Sequence, residues 1–144
     1  MMTKQVAPYG SDEEVLEVVR RFESCEFAPD EFKHRLHLTV ALVYLLDSPY
    51  HVALERMRSG LKRFIKHHGL SGVYHETLTV FWMRRVLAFA ERADRGRGLA
   101  ELANALSDAC ADPRVVFDYY SKARIESDKA RAYWLDSDLK PIDF

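Results

Sequence analysis

Cysteine is scarce in this sequence, and the sequence also lacks the patterns typical of disulfide-rich, membrane-spanning and secreted proteins. The two cysteines, Cys25 and Cys110, lie far apart and have no spacing typical of a disulfide framework or a metal site. No apolar run approaches the roughly 20 residues that a helix needs to cross a bilayer, because the longest, residues 36–46, contains His37 and Thr39. The opening stretch MMTKQVAPYG has no apolar core of the kind that a secretory signal requires. We therefore expect a soluble protein of the reducing cytoplasm, with no membrane partner.

An excess of charge of one sign is also missing. The chain has 21 basic and 22 acidic residues and a net charge of −1, so we expect no nucleic-acid partner. Five cations do lie within about three turns of one predicted helix, against the single Glu55. Because no aromatic side chain is interleaved on this face to stack on bases, we interpret it as solvent-exposed. The five are Arg56, Arg58, Lys62, Arg63 and Lys66.

Common catalytic motifs are missing too. The sequence contains no glycine-rich phosphate loop, dinucleotide fingerprint, nucleophile elbow or His-Glu-x-x-His segment. Glu31 and His34 form one Glu-x-x-His pair, but a di-iron carboxylate bundle needs that pair twice and two further glutamates. The sequence therefore disfavours a dinuclear metal site and is compatible with one mononuclear divalent metal ion.

The apolar residues are sufficient for one continuous core. A chain of 144 residues that is 48% hydrophobic and 12% aromatic fits one domain, which we assign to residues 1–144. Apolar periodicity predicts an all-α fold, a compact bundle of about five to six helices with an irregular C-terminal tail packed on it. No alternating run indicates a strand. We expect residues 1–10 to be flexible and residues 121–144 to form the tail.

Capping residues and helix breakers predict the boundaries of the helices. Ser11 and Glu14 form a capping box at the start of the first helix. Pro29 suits the first turn of a second helix that runs to about Leu46, and this helix is apolar on nearly every side, so it should be central. The other predicted elements are a third helix from Ser48 to Gly69, a fourth from about Val73 to Ala93, a fifth around residues 99–106, a short sixth from Asp112 to Tyr120, and a turn capped by Ser127 before a tail that packs through Trp134, Ile142 and Phe144.

Two histidines on the second helix are the first candidate site residues. His34 and His37 are three residues apart, which places their Cβ atoms roughly 5 to 6 Å from each other and allows them to share a ligand. Ala41 and Tyr44 continue the same row, and a small residue between polar ones leaves space for a pocket. We predict His34 and His37 as metal ligands and Tyr44 as a ligand-binding residue.

The segment YHETLTVFW, residues 74–82, supplies further candidates at the start of the fourth helix. The helix dipole there favours a neutral His75 and an ionised Glu76, and a neutral imidazole beside a carboxylate is a candidate base or metal ligand. We therefore predict His75 and Glu76 both as a catalytic pair and as metal ligands, and Tyr74 and Thr79 as ligand-binding residues. Short links between antiparallel helices should bring the start of the fourth helix back to the start of the second.

These interpretations lead to two hypotheses. In the first, a pocket between helices binds a divalent metal ion or a small polar ligand through histidine and glutamate, and any catalysis uses His75 as base with Glu76 orienting it. In the second, the protein is a non-enzymatic interaction module. Its basic third helix or aromatic tail then binds a protein partner or a second copy, and the histidines form a hydrogen-bonded network that rigidifies the core.

Two segments of the chain also carry a family resemblance. The pattern F-x-H-x-x-H-L at residues 32–38 and the pattern Y-H-E-T-L-T at residues 74–79 resemble those of a group of small uncharacterised bacterial all-helical proteins. The tail YYSKARIESDKARAYWLDSDLKP resembles the end of the same group, so the similar parts cover roughly half of the chain. The resemblance implies a bacterial source and a shared fold, and it implies no particular activity. The candidates that match its motif positions are His34, His37, Tyr74, His75, Glu76 and Thr79.

Overall fold

The structure is a computed structural model that describes residues 7–144, and every regular element within them is helical. The five long helices are α1 (Asp12–Glu23), α2 (His34–Asp47), α3 (Tyr50–His67), α4 (Glu76–Arg92) and α5 (Leu99–Ala109). A 3-10 helix, η1 (Pro113–Asp118), and two short helices, α6 (Lys122–Ile125) and α7 (Asp128–Ala132), follow them. The predicted all-α bundle with a C-terminal tail is confirmed.

Helix α2 lies at the centre of the bundle, as its composition predicts. It packs against α1, α3, α4 and α5, so almost every side of it requires apolar side chains. Helices α3 and α4 also contact each other, and the three together enclose the space described below. The buried residues of α2 are Leu38, Thr39, Val40, Ala41, Leu42, Tyr44 and Leu45.

Helix α2 begins at His34 rather than at Pro29, because the segment before it forms turns. Cys25 adopts a left-handed backbone with φ of +58°. The Glu31 carboxylate then accepts a hydrogen bond from the N–H of Ala28 at 2.7 Å, and the Glu31 N–H donates to the Ala28 carbonyl at 3.0 Å. The fixed φ of proline suits a turn as well as a first helical turn, so the sequence signal was ambiguous. Both histidines of α2 consequently lie at its start.

Helix α4 begins at Glu76 rather than at Val73, and His75 is its N-cap. The link from α3 contains Gly69 and Gly72 with φ of +66° and +68°, a region that glycine adopts without steric cost. The predicted helix start was therefore too early. His75 has an extended backbone, so its side chain folds back over the first turn of the helix.

The residues just before α1 contact the bundle through side-chain and backbone hydrogen bonds. The Tyr9 hydroxyl lies 2.9 Å from Oγ1 of Thr39, and the backbone of Tyr9 exchanges two hydrogen bonds with the Asn104 side chain. One half of the predicted capping box is present, since Oγ of Ser11 accepts from the N–H of Glu14, whereas the Glu14 carboxylate accepts from the N–H of Gly10 rather than from that of Ser11. Residues 1–6 lie outside the described part of the chain, and the flexibility of residues 1–10 stays a prediction.

The C-terminal residues pack onto α4, as predicted. A second apolar cluster forms around Phe81, and the tail contributes Trp134, Ile142 and Phe144 to it. Ser127 caps α7 as expected, whereas α6, which is capped by Ser121, was not predicted.

The predicted exposed face of α3 is only partly exposed. Lys62, Arg63 and Lys66 are exposed. Arg56 instead donates to Asp47 at 3.1 Å, and Arg58 is bound by the Glu76 carboxylate. The sequence gives no indication of either partner, because both are distant along the chain.

The cysteines and the apolar length of the helices can also be compared with the sequence analysis. Both cysteines are free and buried in the apolar core. Among residues 7–144, none of the helices combines the length and the apolar character that crossing a bilayer requires.

Candidate functional site

A cavity of about 370 Å³ lies between α2, α3 and α4. Five of the seven predicted site residues line it, namely His34, His37, Tyr74, His75 and Thr79. Its walls are otherwise apolar and include Met57, Leu61, Phe64, Leu78, Trp82 and Met83. The exposed residues Pro29, Leu70 and Val73 also line it and mark where it opens to solvent. The starts of α2 and α4 therefore lie at the same end of the bundle, as expected.

His34 and His37 each use Nε2 to donate to the backbone. Nε2 of His34 lies 2.7 Å from the Cys110 carbonyl at the end of α5, and Nε2 of His37 lies 3.1 Å from the Phe32 carbonyl. A carbonyl oxygen only accepts, so Nε2 carries the hydrogen in both rings, and Nδ1 is the acceptor of the neutral form. Neither Nδ1 atom has a hydrogen-bond partner within residues 7–144. Each histidine thus has one nitrogen available to a ligand.

The environment of His37 keeps its imidazole neutral. The ring stacks on Phe32 with the centroids 4.2 Å apart. Burial lowers the pKa of His37 to about 4, and the hydrogen bond to the Phe32 carbonyl opposes only part of that effect. At neutral pH this side chain is therefore an uncharged acceptor in an apolar wall.

His75 has both ring nitrogens engaged. Nδ1 accepts from the N–H of Leu78 at 3.1 Å, and Nε2 donates to the Ile125 carbonyl at 2.6 Å. Burial lowers the pKa of His75, which agrees with a ring that needs a free lone pair on Nδ1. His75 thus caps α4 and connects it to the end of α6, and no nitrogen remains for a substrate proton or a metal ion.

Glu76 lies outside the cavity and is bound by two side chains. Arg58 donates to both carboxylate oxygens at 3.0 Å, and the Tyr74 hydroxyl donates to Oε1 at 2.6 Å. Burial alone would raise the pKa of the Glu76 carboxyl, but these hydrogen bonds lower it by more, so the group is ionised. The two residues of the predicted catalytic pair therefore have different partners, and no hydrogen bond joins their side chains within residues 7–144.

Tyr44 also lies away from the cavity. Its hydroxyl donates to the Glu23 carboxylate at 2.8 Å, and the Arg56 guanidinium lies 4.0 Å from the centre of its ring. Burial and the neighbouring carboxylate raise the pKa of the Tyr44 hydroxyl. Tyr44 therefore faces α1 and α3, whereas His37 on the same helix faces the cavity. Helix α2 has neighbours on all sides, so its polar residues can face different helices.

The four predicted metal ligands do not form one ligand set in this structure. Within residues 7–144, no three His, Cys, Asp or Glu side chains are grouped in a way that would hold a metal ion. The physical reason is that His75 and Glu76 are already occupied by Leu78, Ile125 and Arg58. Sequence spacing identified residues near a cavity, but it could not show which lone pairs remain free.

Comparison with known proteins gives no assignment. No protein-family model matches this chain, and no curated protein or solved structure shows significant similarity to it. The resemblance of residues 32–38 and 74–79 to small bacterial helical proteins therefore stays a prediction from the sequence.

Proposed function

We propose that this protein binds a small organic molecule, with an apolar body and a polar group, in the cavity between α2, α3 and α4. The observation that carries the proposal is the cavity itself. Its volume of about 370 Å³ lies in the range of small-molecule sites, and its mainly apolar wall with a few polar groups is typical of them.

The packing of the helices supports the same proposal. Protein interiors are normally packed to crystal-like density, and an unfilled apolar space destabilises a protein. This chain leaves an apolar space between α2, α3 and α4 that is open to solvent at one end, beside the small residue Ala41. Filling it with a ligand would restore contacts that the free protein lacks.

The proposal concerns binding rather than acid–base catalysis. His75 is the strongest catalytic candidate in the sequence, and its imidazole caps α4 with one nitrogen and binds the Ile125 carbonyl with the other. A general base needs a lone pair within reach of the proton that it removes. His37, with its unengaged Nδ1, is the better candidate for contact with a ligand.

The experiment fills part of the cavity with a larger side chain. Ala41 is buried and lines the cavity, so Ala41→Leu places three more carbon atoms in it. We expect fragments from a small aromatic and aliphatic library to shift backbone amide resonances of the cavity residues in the wild type. We expect the same fragments to bind Ala41→Leu at least about tenfold more weakly, because the leucine side chain occupies the space.

Ala88→Leu is the matched control, since it makes the same change on α4 at a residue that does not line the cavity. It should leave fragment binding unchanged, and circular dichroism should show a folded protein for both variants. Absence of any fragment-induced shift at the cavity of the wild type would contradict the proposal.

A second candidate function has its own support. His34, His37 and His75 each donate Nε2 to a backbone carbonyl, which is how histidines would serve if they only rigidified the core of an interaction module. In that case the partner surface lies elsewhere, and Ala41→Leu should leave every interaction of the protein intact.

A further inference from the structure

Most of the polar side chains that line the cavity already donate hydrogen bonds to other groups of the protein. Three are imidazoles whose Nε2–H groups are bound by backbone carbonyls, and two are hydroxyls. The Thr79 hydroxyl donates to the His75 carbonyl at 2.8 Å, and the Tyr74 hydroxyl donates to Glu76 at 2.6 Å. The imidazole donors belong to His34, His37 and His75, at 2.7, 3.1 and 2.6 Å from the carbonyl oxygens.

What remains for a ligand is therefore a set of acceptors. Nδ1 of His34 and Nδ1 of His37 have lone pairs without a partner in residues 7–144, and the hydroxyl oxygens keep accepting capacity. Trp82 is the exception among the lining side chains, because no residue in that range accepts its indole N–H. The side chains of the cavity thus offer several acceptors and one donor.

The cavity also lacks a charge that would complement a charged ligand. None of the residues that line it is Lys, Arg, Asp or Glu. The carboxylate of Glu76, the residue after His75 in the chain, is already paired with Arg58. Moving an unpaired ion into an apolar space is strongly unfavourable, so both anions and cations would bind poorly.

We propose that the cavity selects an uncharged ligand that carries N–H or O–H donors on an apolar body, and that Nδ1 of His37 is the acceptor that recognises them. This inference rests on the proposed binding function and narrows its ligand class. His37 is chosen over His34 because its ring is fixed twice, by the hydrogen bond to the Phe32 carbonyl and by stacking on the Phe32 ring. A fixed acceptor in an apolar wall discriminates strongly against ligands that leave it unpaired.

Four probes with one benzene ring test the inference: benzamide, N,N-dimethylbenzamide, benzoate and ethylbenzene. Their dissociation constants are measured with the full chain at pH 8 by amide chemical-shift titration. Benzamide has two N–H donors and no charge, so we expect it to bind about tenfold more tightly than N,N-dimethylbenzamide, which lacks donors. Benzoate should not shift the resonances of the cavity residues, and ethylbenzene, which also lacks donors, should bind more weakly than benzamide.

Substitution of His37 then shows whether Nδ1 is responsible. His37→Phe keeps an aromatic ring on Phe32 and removes the acceptor, so benzamide and N,N-dimethylbenzamide should bind within about twofold of each other. His37→Asn, which retains an oxygen acceptor near the position of Nδ1, should keep part of the preference. His51→Phe changes an exposed histidine on α3 and should preserve the full preference.

The outcomes separate this inference from the proposed function. Equal binding of benzamide, N,N-dimethylbenzamide and benzoate by the wild type would overturn the inference and leave the binding function in place. If none of the four probes shifts a cavity resonance, both are overturned. A preference for benzamide that survives in His37→Phe would remove His37 as the recognising residue.

Discussion

At the scale of single residues, histidine has one recurrent role in this protein. His34, His37 and His75 each donate from Nε2 to a backbone carbonyl that no secondary-structure hydrogen bond reaches. A carbonyl buried without a donor would be costly, and an imidazole can supply the donor across a gap between elements. From the sequence alone these three histidines resemble metal ligands, because their spacing does not show which group each Nε2 binds.

His75 provides the first prediction at this scale. His75→Ala removes the cap from the Leu78 N–H and the donor from the Ile125 carbonyl, so the free energy of unfolding should fall by about 1 to 3 kcal/mol. His75→Asn restores a cap, since asparagine is a favourable N-cap residue, and should recover about 1 kcal/mol of that loss. Urea denaturation at pH 7.5, followed by circular dichroism, measures both.

His67→Ala is the control for this series, because His67 is the exposed last residue of α3. It should change the free energy of unfolding by less than about 0.5 kcal/mol. Equal stability of His75→Asn and His75→Ala would show that the capping hydrogen bond contributes nothing.

At the scale of elements, the start of α4 holds the C-terminal segment in place. Thr77 is fully buried, and its hydroxyl donates to the Tyr133 carbonyl at 2.7 Å and accepts from the N–H of Leu135 at 3.2 Å. The Tyr120 hydroxyl donates to the Leu135 carbonyl at 2.6 Å. One threonine and one tyrosine thus satisfy the backbone where the chain leaves α7.

Thr77→Val tests this attachment. Valine keeps the shape of threonine but leaves the Tyr133 carbonyl and the Leu135 N–H without the hydroxyl that pairs them, so we expect a loss of about 1 to 3 kcal/mol in the free energy of unfolding. Cleavage by chymotrypsin after the exposed Tyr133 should also become faster. Denaturation and timed proteolysis are the measurements.

Thr79→Val is the matched control for Thr77→Val. The Thr79 hydroxyl donates to the His75 carbonyl, but that carbonyl also accepts from the backbone N–H of Thr79 at 3.0 Å, so it stays satisfied. We expect a loss below about 0.5 kcal/mol for this variant. Similar losses for the two variants would show that the contact to the tail is not what makes Thr77 important.

The elements also show how far the sequence specifies this fold. The N-cap at Ser11, the apolar surface of α2 and the cap at Ser127 each depend on neighbours within a few residues, and the structure confirms them. The start of α2 was predicted too early, because Pro29 suits a turn and a helix equally. Tertiary contacts decide between the two, and they are not encoded in any local pattern.

The candidate site was predictable in position but not in chemistry. Short links and alternating helix directions correctly place His34, His37 and His75 around one cavity. The partner of Glu76 is Arg58, which the charge pattern assigned to an exposed face. The pairing of Arg58 with Glu76, which are 18 residues apart, leaves the Glu76 carboxylate unavailable to a metal ion. Local spacing does not show this pairing, and it suggested a metal site that residues 7–144 do not form.

At the scale of the whole molecule, the neutral histidines make stability depend on pH. Burial lowers the pKa of His37 from 6.5 to about 4 in the folded state, and it lowers the pKa of His75 in the same direction. Between these values the unfolded chain binds more protons than the folded one, so the free energy of unfolding rises with pH. The stabilisation is complete above pH 6.5 and is lost as the pH falls toward 4.

The wild-type protein should therefore lose stability between pH 6.5 and pH 4.5, before most carboxylates titrate. The contribution of His37 is at most about 3.5 kcal/mol, because its pKa falls from 6.5 to about 4 and one pKa unit corresponds to about 1.4 kcal/mol. Urea denaturation at half-unit steps of pH gives the slope, and His37→Phe should flatten it while His51→Phe leaves it unchanged. A wild-type slope that His37→Phe does not reduce would show that folding does not lower the pKa of His37, which would contradict the buried, neutral imidazole described for the cavity wall.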